Sequence, residues 1–76
     1  MVIAYVLVKA STGDADRLRE EIEACDGVDR VHIVAGDVDL IARATVDSPA
    51  AVKALVTGCI QAIDGVADTN TYIAMA

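Results

Sequence analysis

Apolar residues along the chain fall into six segments that have the spacing of either strands or helices. Residues 1–9 are apolar on both alternating sets of positions and rich in β-branched side chains, which predicts a strand buried on two sides. Residues 28–34 and 38–46 also read as strands, and the Ala35-Gly36-Asp37 segment between them predicts a hairpin turn. Residues 66–74 alternate and carry Thr and Tyr, which predicts a fourth strand.

The two remaining segments have helical spacing. The first helix is expected after a turn and N-cap segment, Ser11-Thr12-Gly13-Asp14, and it ends at Gly27. Its apolar positions are Ala15, Leu18, Ile22 and Cys25. The second helix is expected to begin with Ser48 as N-cap and Pro49 in the first turn. Its apolar stripe comprises Val52, Leu55, Val56, Cys59, Ile60 and Ile63. The predicted order is therefore β-α-β-β-α-β.

The ends of the two predicted helices repeat one another. Residues 22–28 read IEACDGV and residues 60–66 read IQAIDGV, an offset of 38 residues in a chain of 76. The first and third strands match at the same offset, so each half is one βαβ unit. Two such units with right-handed crossovers interleave into a ferredoxin-like α+β domain, with both helices on one face of a four-stranded antiparallel sheet. We therefore predict one domain over residues 1–76, with Gly27 and Gly65 as left-handed helix ends.

The face of the sheet that the helices leave open predicts an interaction with a second copy. Alternation assigns to the helix side Ala4, Val6, Val8, Ala42, Ala44 and Val46. The open face then holds Ile3, Tyr5, Leu7, Ile41, Arg43 and Thr45. Several of these side chains are too apolar for open solvent in so small a domain, so we expect a homodimer, sheet against sheet, of the dimeric α+β barrel type. By the repeat register, His32, Asn70 and Tyr72 join this face.

The charge balance narrows the range of partners. The net charge is −6 and the pI about 4.3, because nine Asp and three Glu face two Lys and four Arg. Direct contact with nucleic acid is not expected, since phosphate binding requires clustered Lys and Arg. Excess Asp with little Lys is typical of adaptation to high salt, although an ordinary acidic domain is the simpler alternative. No apolar run approaches the roughly 20 residues that cross a bilayer, and the N-terminus has no signal-peptide pattern. We expect a cytoplasmic protein without a membrane partner.

The two cysteines and the absence of catalytic motifs limit the chemistry. Cys25 and Cys59 have no metal-ligand spacing and are too few for a secreted disulfide framework, so we interpret them as buried helix thiols. A chain of this size is marginally stable alone, and help from a partner, a metal or a disulfide is expected. Phosphate-loop, dinucleotide and nucleophile-elbow motifs are missing from the sequence. We therefore predict no cofactor, no bound metal and no catalytic residue.

Two polar segments are candidates for ligand binding. Asp37 and Asp39 share a face if they lie on a strand, and together they suit an ammonium group or a hard cation. The simpler interpretation is turn chemistry, which explains Asp37 better than Asp39. The segment Thr69-Asn70-Thr71-Tyr72 offers hydroxyls and an amide that suit a carboxylate, although Thr is also an ordinary strand residue.

Three segments, in this order along the chain, are similar to segments of one known family. They are the opening strand, the Gly36-Asp37-Val38-Asp39-Leu40 turn and the closing Gly65-Val66-Ala67-Asp68-Thr69-Asn70-Thr71 segment. The chain resembles, over its whole length, the effector-binding (RAM) domain of the Lrp/AsnC, or feast/famine, transcription regulators. It begins at the first strand, whereas members of this family usually begin with a DNA-binding helix-turn-helix, so the stand-alone form is expected. A second departure is Val38, where the family often has an aromatic residue.

The resemblance implies a function as well as a fold. It implies dimers that assemble into octamers or similar rings, bind a small amino acid between dimers, and act on transcription, in some cases with a full-length regulator. It places the ligand at Gly36, Asp37, Val38 and Asp39, with Thr69 and Thr71 beside them. Two alternatives remain open at this point. One is a small dimeric α+β barrel enzyme that uses His32, Arg43 and Tyr5, and the other is an ACT-like amino-acid sensor.

Overall fold

The computed structural model describes residues 1–11 and 13–75, and its elements follow the predicted order. The strands are β1 (Val2–Ala10), β2 (Val28–Ile33), β3 (Leu40–Val46) and β4 (Val66–Ile73), and the helices are α1 (Ala15–Glu23) and α2 (Pro49–Leu55). The strands form one antiparallel sheet in the order β2-β3-β1-β4. The ferredoxin-like arrangement is thus confirmed, with β1 and β3 at the centre. Thr12, which belongs to the predicted turn before α1, lies outside the described residues.

The 38-residue repeat is visible in the hydrogen bonds at the two helix ends. The N–H of Cys25 donates to the carbonyl of Ile22, and the N–H of Val28 donates to the carbonyl of Cys25. The same two bonds recur 38 residues later among Ile60, Ile63 and Val66. The glycines between these residues have the expected positive φ angles, 97° at Gly27 and 103° at Gly65. The repeated Asp-Gly-Val segments are therefore structural: each ends a helix and begins a strand.

The hydrophobic core lies between the sheet and the helices, as alternation predicts. On the sheet side, Ala4, Val6, Val8, Ala42 and Ala44 are fully buried, and Val46 is half-buried. On the helix side, the core is formed by Leu18, Ile22, Val52, Leu55, Val56 and Ile60. Among the described residues, no polar or charged side chain is buried. None of the helices described is long and apolar enough to cross a membrane.

Three predicted element boundaries are wrong by two residues or more. The first helix is expected to end at Gly27, but α1 ends at Glu23 and a turn leads from there to the glycine. The second helix is α-helical only to Leu55 and continues as a π-helical segment, Val56–Ile60. Its predicted start is confirmed, since the Ser48 hydroxyl accepts the N–H of Ala51 at 3.2 Å and Pro49 opens the helix. The hairpin is longer than three residues, because β2 ends at Ile33 and β3 begins at Leu40. Asp39, the residue before β3, is bonded to β1 by its carboxylate.

The interpretation of the cysteines as free thiols is also wrong. Cys25, just after α1, and Cys59, in the π-helical segment, form a disulfide with their Cα atoms 6.1 Å apart. Sequence spacing gave no sign of this pair, because it joins two helices that become neighbours only once both pack on the same face of the sheet. The bond is one of the three kinds of support expected for so small a core.

Candidate functional site

Asp39 makes three hydrogen bonds, of which two hold the segment between β2 and β3 against the end of β1 and one closes the segment on itself. The backbone N–H of Asp39 donates to the carbonyl of Val8 at 2.9 Å, and its carbonyl accepts the N–H of Val34 at 2.9 Å. Its carboxylate Oδ2 accepts the N–H of Ala10 at 2.8 Å. These contacts fix both ends of the hairpin loop, so Asp37 and Val38 are presented from an anchored base.

The loop forms one wall of a small pocket of about 170 Å³ on the open face of the sheet. The pocket is lined by Leu7, Lys9, Asp37, Val38, Asp68 and Asn70. Strand pairing brings these groups together, since Lys9 on β1 is opposite Asp68 on β4 and Leu7 is opposite Asn70. Drug-sized ligands occupy sites of roughly 300–1,000 Å³, so this pocket suits a smaller molecule.

The lining of this hairpin pocket is chemically mixed. Asp37 and Asp68 supply carboxylates, Lys9 an ammonium and Asn70 an amide, beside the apolar side chains of Leu7 and Val38. One carboxylate oxygen of Asp68 accepts the N–H of Thr69 at 2.9 Å, which fixes that side chain near the pocket. A site with both charge signs and a short apolar wall complements a small zwitterion.

The structure separates the predicted site residues. Asp37 and Val38 line the hairpin pocket, Gly36 lies exposed in the same loop, and the Asp39 carboxylate is engaged by β1. Thr69 and Thr71 are instead opposite Val8 and Val6, whose side chains lie under the helices, so both threonines belong to the helix side of the sheet. The loop residues 36–39 and the two threonines of one protomer therefore do not form a single site, whereas Asn70, between the threonines, lines the pocket with Asp37 and Val38.

The two threonines have surroundings of their own. The Thr69 hydroxyl accepts the side-chain amide of Gln61 at 2.8 Å, which links β4 to the end of the π-helical segment. Thr71 lines a second groove, of about 320 Å³, between β4 and the second helix. The other lining residues of this groove are Pro49, Val52, Lys53, Val56, Thr57 and Ile73. Most of these side chains are apolar, so the groove lacks the paired charges of the hairpin pocket.

The predicted companions on the open face are brought together. Tyr5 is opposite Arg43 on one side and Tyr72 on the other, and His32 is opposite Ile41, so all of them share the face without helices. Tyr5 is 40% exposed and Tyr72 60% exposed, whereas Ile3, Leu7 and Ile41 are half-buried. Arg43 lies 3.9 Å from the carboxylate of Asp29. Among the described residues, no three His, Cys, Asp or Glu side chains form a metal-binding group.

Sequence reasoning missed Lys9 and Asp68 as pocket residues. A signal for both was present, because Lys9 continues the alternation of Ile3, Tyr5 and Leu7 onto the open face. An antiparallel partner of β1 then places an Asp-Asn-Tyr series from β4 beside it. The candidate segment Thr69-Asn70-Thr71-Tyr72 begins one residue after Asp68, and the strand period that puts Asn70 on the open face puts Asp68 there too and Thr69 and Thr71 on the opposite face.

The fold defines the chain as a ferredoxin-like α+β domain, and the comparisons with known proteins identify its family. The model of the Lrp/AsnC ligand binding domain matches residues 3–76. The chain therefore belongs to the Lrp/AsnC ligand-binding domain family, as its sequence resemblance implied. This membership favours the regulator interpretation over the ACT-like and enzyme alternatives. A search of curated proteins finds no match to the sequence.

Solved structures give the same result for the fold. A protein of Thermus thermophilus is 29% identical, with all of this chain aligned to 95% of that one at a TM-score of 0.94. AsnC of E. coli is 20% identical at a TM-score of 0.91, with 99% of this chain aligned to 51% of that protein. A transcriptional regulator of Neisseria meningitidis, solved as a complex with L-Met, is 17% identical at a TM-score of 0.87, with 99% and 50% aligned. The chain spans about half the length of each of these two regulators.

Proposed function

We infer that this Lrp/AsnC ligand-binding domain binds a small amino acid at the hairpin pocket and acts on transcription through its assembly state. The observation that carries the proposal is the lining of the pocket, which combines Lys9 with Asp37 and Asp68 and with the apolar Leu7 and Val38. The complex of the Neisseria regulator with L-Met supports the ligand class. Gly36, Asp37, Val38 and Asp39 remain the proposed ligand-binding loop, in which Asp39 supports the loop rather than the ligand.

The proposed binding mode follows from the charges of the lining. The ammonium of Lys9 meets the α-carboxylate of the ligand, and the carboxylates of Asp37 and Asp68 meet its α-ammonium. Leu7 and Val38 contact the ligand side chain, while the volume of about 170 Å³ limits its size. Thr69 and Thr71, which the resemblance places beside the ligand, lie on the opposite face and take no part in this binding mode within one copy.

The open face supports the proposed assembly. Ile3, Leu7 and Ile41 form an apolar centre with Tyr5 and Arg43 beside them, and a second copy would bury this surface sheet against sheet. The hairpin pocket opens on the same face, so pairing and further assembly into rings would enclose it. A ligand that binds one assembly state more tightly shifts the population toward that state. Such a shift would act on transcription through co-assembly with a full-length Lrp/AsnC regulator.

Isothermal titration calorimetry with each of the twenty amino acids tests the proposed function. We expect saturable heat with at least one small amino acid. Asp37→Asn should weaken that binding by about tenfold or more, since it removes a charge-assisted hydrogen bond worth about 1.5–3 kcal/mol. Asp47→Asn is the matched control, because Asp47 is exposed and lies outside the pocket lining.

The possible outcomes test two claims separately: that the ligand is an amino acid, and that it binds at the hairpin pocket. No heat with any of the twenty amino acids would overturn the ligand class. Equal affinities of the Asp37→Asn and Asp47→Asn variants for the bound amino acid would overturn the location at the hairpin pocket. Circular dichroism of both variants excludes unfolding as the cause of a lost signal.

A further inference from the structure

The disulfide between Cys25 and Cys59 covalently links the two helices of the domain. Cys25 lies in the turn that leads from α1 into β2, and Cys59 lies in the π-helical segment that follows α2. The linked residues are 34 positions apart, and both cysteines of the chain are used. The hairpin pocket is on the other side of the sheet, so this bond takes no part in the ligand binding proposed above.

The two sulfur-bearing residues differ in their access to solvent. Cys25 is only 4% exposed, whereas Cys59 is half-buried and lines an open groove of about 460 Å³. The other lining residues are Asp26, Val46, Ala51, Ala54, Leu55 and Gly58. A Cβ added at Gly58 would meet nothing within 4 Å apart from the backbone of its own helix, and the neighbouring alanines are short. A small nucleophile therefore has room to approach Cys59, but no comparable access to Cys25.

We propose that the Cys25–Cys59 bond is a reversible redox site that a dithiol opens by attack on Cys59. A thiolate of the dithiol forms a bond to the sulfur of Cys59, the protein disulfide breaks, and Cys25 leaves as a thiolate that takes up a proton. The second thiol of the reductant then attacks the mixed disulfide and releases Cys59 as a thiol. Two electrons and two protons pass from the dithiol to the protein, and the dithiol becomes a cyclic disulfide.

The surroundings of Cys25 suit both redox states. Its sulfur lies 3.7 Å from the carbonyl oxygen of Glu21, which can accept the S–H of the reduced form. The buried thiol therefore has an acceptor after reduction. The end of the π-helical segment is also held to β4 by the hydrogen bond from the amide of Gln61 to the hydroxyl of Thr69.

The proposal is tested by reducing the folded protein with dithiothreitol. N-ethylmaleimide stops the reaction and labels the free thiols, and peptide mass spectrometry shows which cysteines are labelled. In the folded protein we expect both cysteines to be unlabelled before reduction. The rate of reduction should be proportional to the concentration of reductant. It should also exceed the rate of global unfolding, which is measured by amide exchange. A monothiol in place of the dithiol should trap an adduct on Cys59. Three results would each overturn the proposal. They are labelling of both cysteines without reductant, reduction that occurs only at the rate of unfolding, and an adduct on Cys25.

A pair of single variants tests which sulfur is open to attack. Cys25→Ser leaves Cys59 as a free thiol beside the groove, and Cys59→Ser leaves Cys25 buried. We expect glutathione disulfide to modify the Cys25→Ser variant at least about tenfold faster than the Cys59→Ser variant, because reactivity follows access to the thiolate. Equal rates would contradict the proposal. If a variant does not fold by circular dichroism, the adduct position in the unaltered protein decides the question alone.

Discussion

At the scale of single residues, the carboxylate of Asp39 has a structural role in the turn that the sequence resemblance assigns to the ligand. It accepts the N–H of Ala10 at 2.8 Å, next to the irregularity between Lys9 and Ala10 in the pairing of β1 with β4. Asp37, two residues earlier, is exposed and lines the pocket instead. Sequence alternation assigned both carboxylates to one face, but that rule holds only within a strand, and β3 begins at Leu40.

Replacement of Asp39 tests this structural role. Asp39→Ala should lower the free energy of unfolding by about 1–3 kcal/mol, because it leaves the half-buried N–H of Ala10 without its acceptor. Asp39→Asn keeps an acceptor oxygen and should lose clearly less. Urea unfolding of both variants gives the comparison. If Asp39→Ala is as stable as the unaltered protein, the hydrogen bond does not anchor the loop.

At the scale of elements, the repeat predicted the fold well because the two halves use the same helix ends. The paired hydrogen bonds and the positive φ angles at Gly27 and Gly65 follow directly from the repeated Asp-Gly-Val segments. The π-helical segment was not predictable in this way, since an apolar stripe does not reveal a single widened turn. The disulfide was missed because pairing of Cys25 with Cys59 depends on how the two helices pack.

Gly27 is the helix end at which a substitution is most informative. Gly27→Ala should destabilise the domain by about 1–3 kcal/mol, because a φ of 97° is strained for any residue with a Cβ. The added Cβ would also lie only 3.0 Å from Cγ1 of Val46. Gly13→Ala is the control, since a Cβ there meets nothing within 4 Å. Equal unfolding midpoints for the two variants in urea would contradict this account of the turn.

At the scale of the whole molecule, the open face of the sheet is the surface through which we propose that two copies pair. The helix side is closed by a continuous core, whereas the other side exposes Tyr5 and Tyr72 in one row with Arg43. The alternation of β1 and β3 predicted both faces from the sequence. In the proposed homodimer the covering surface is the same face of a second copy, and the alternation within one chain does not give how two such faces align. Adaptation to high salt likewise stays a prediction from the net charge of −6.

Light scattering after size-exclusion chromatography tests the proposed dimer. We expect a mass of at least two chains at micromolar concentration. Tyr5→Glu should reduce it toward one chain, because it would place two like charges near each other in an apolar sheet-to-sheet contact. Ala50→Glu adds the same charge at an exposed position of α2 and should leave the mass unchanged. A monomer for the unaltered protein would contradict the assembly.

The central claim, an amino acid bound at the hairpin pocket, is tested most directly by two-dimensional NMR of the ¹⁵N-labelled domain. The amino acid that gives the strongest calorimetric signal is added in steps, and the backbone amide shifts are followed. We predict saturable shifts centred on Asp37 and Val38 in the loop and on Lys9, Asp68 and Asn70 in the strands beside it. Shifts confined to the second groove around Thr71, or no saturable shift at all, would contradict the account.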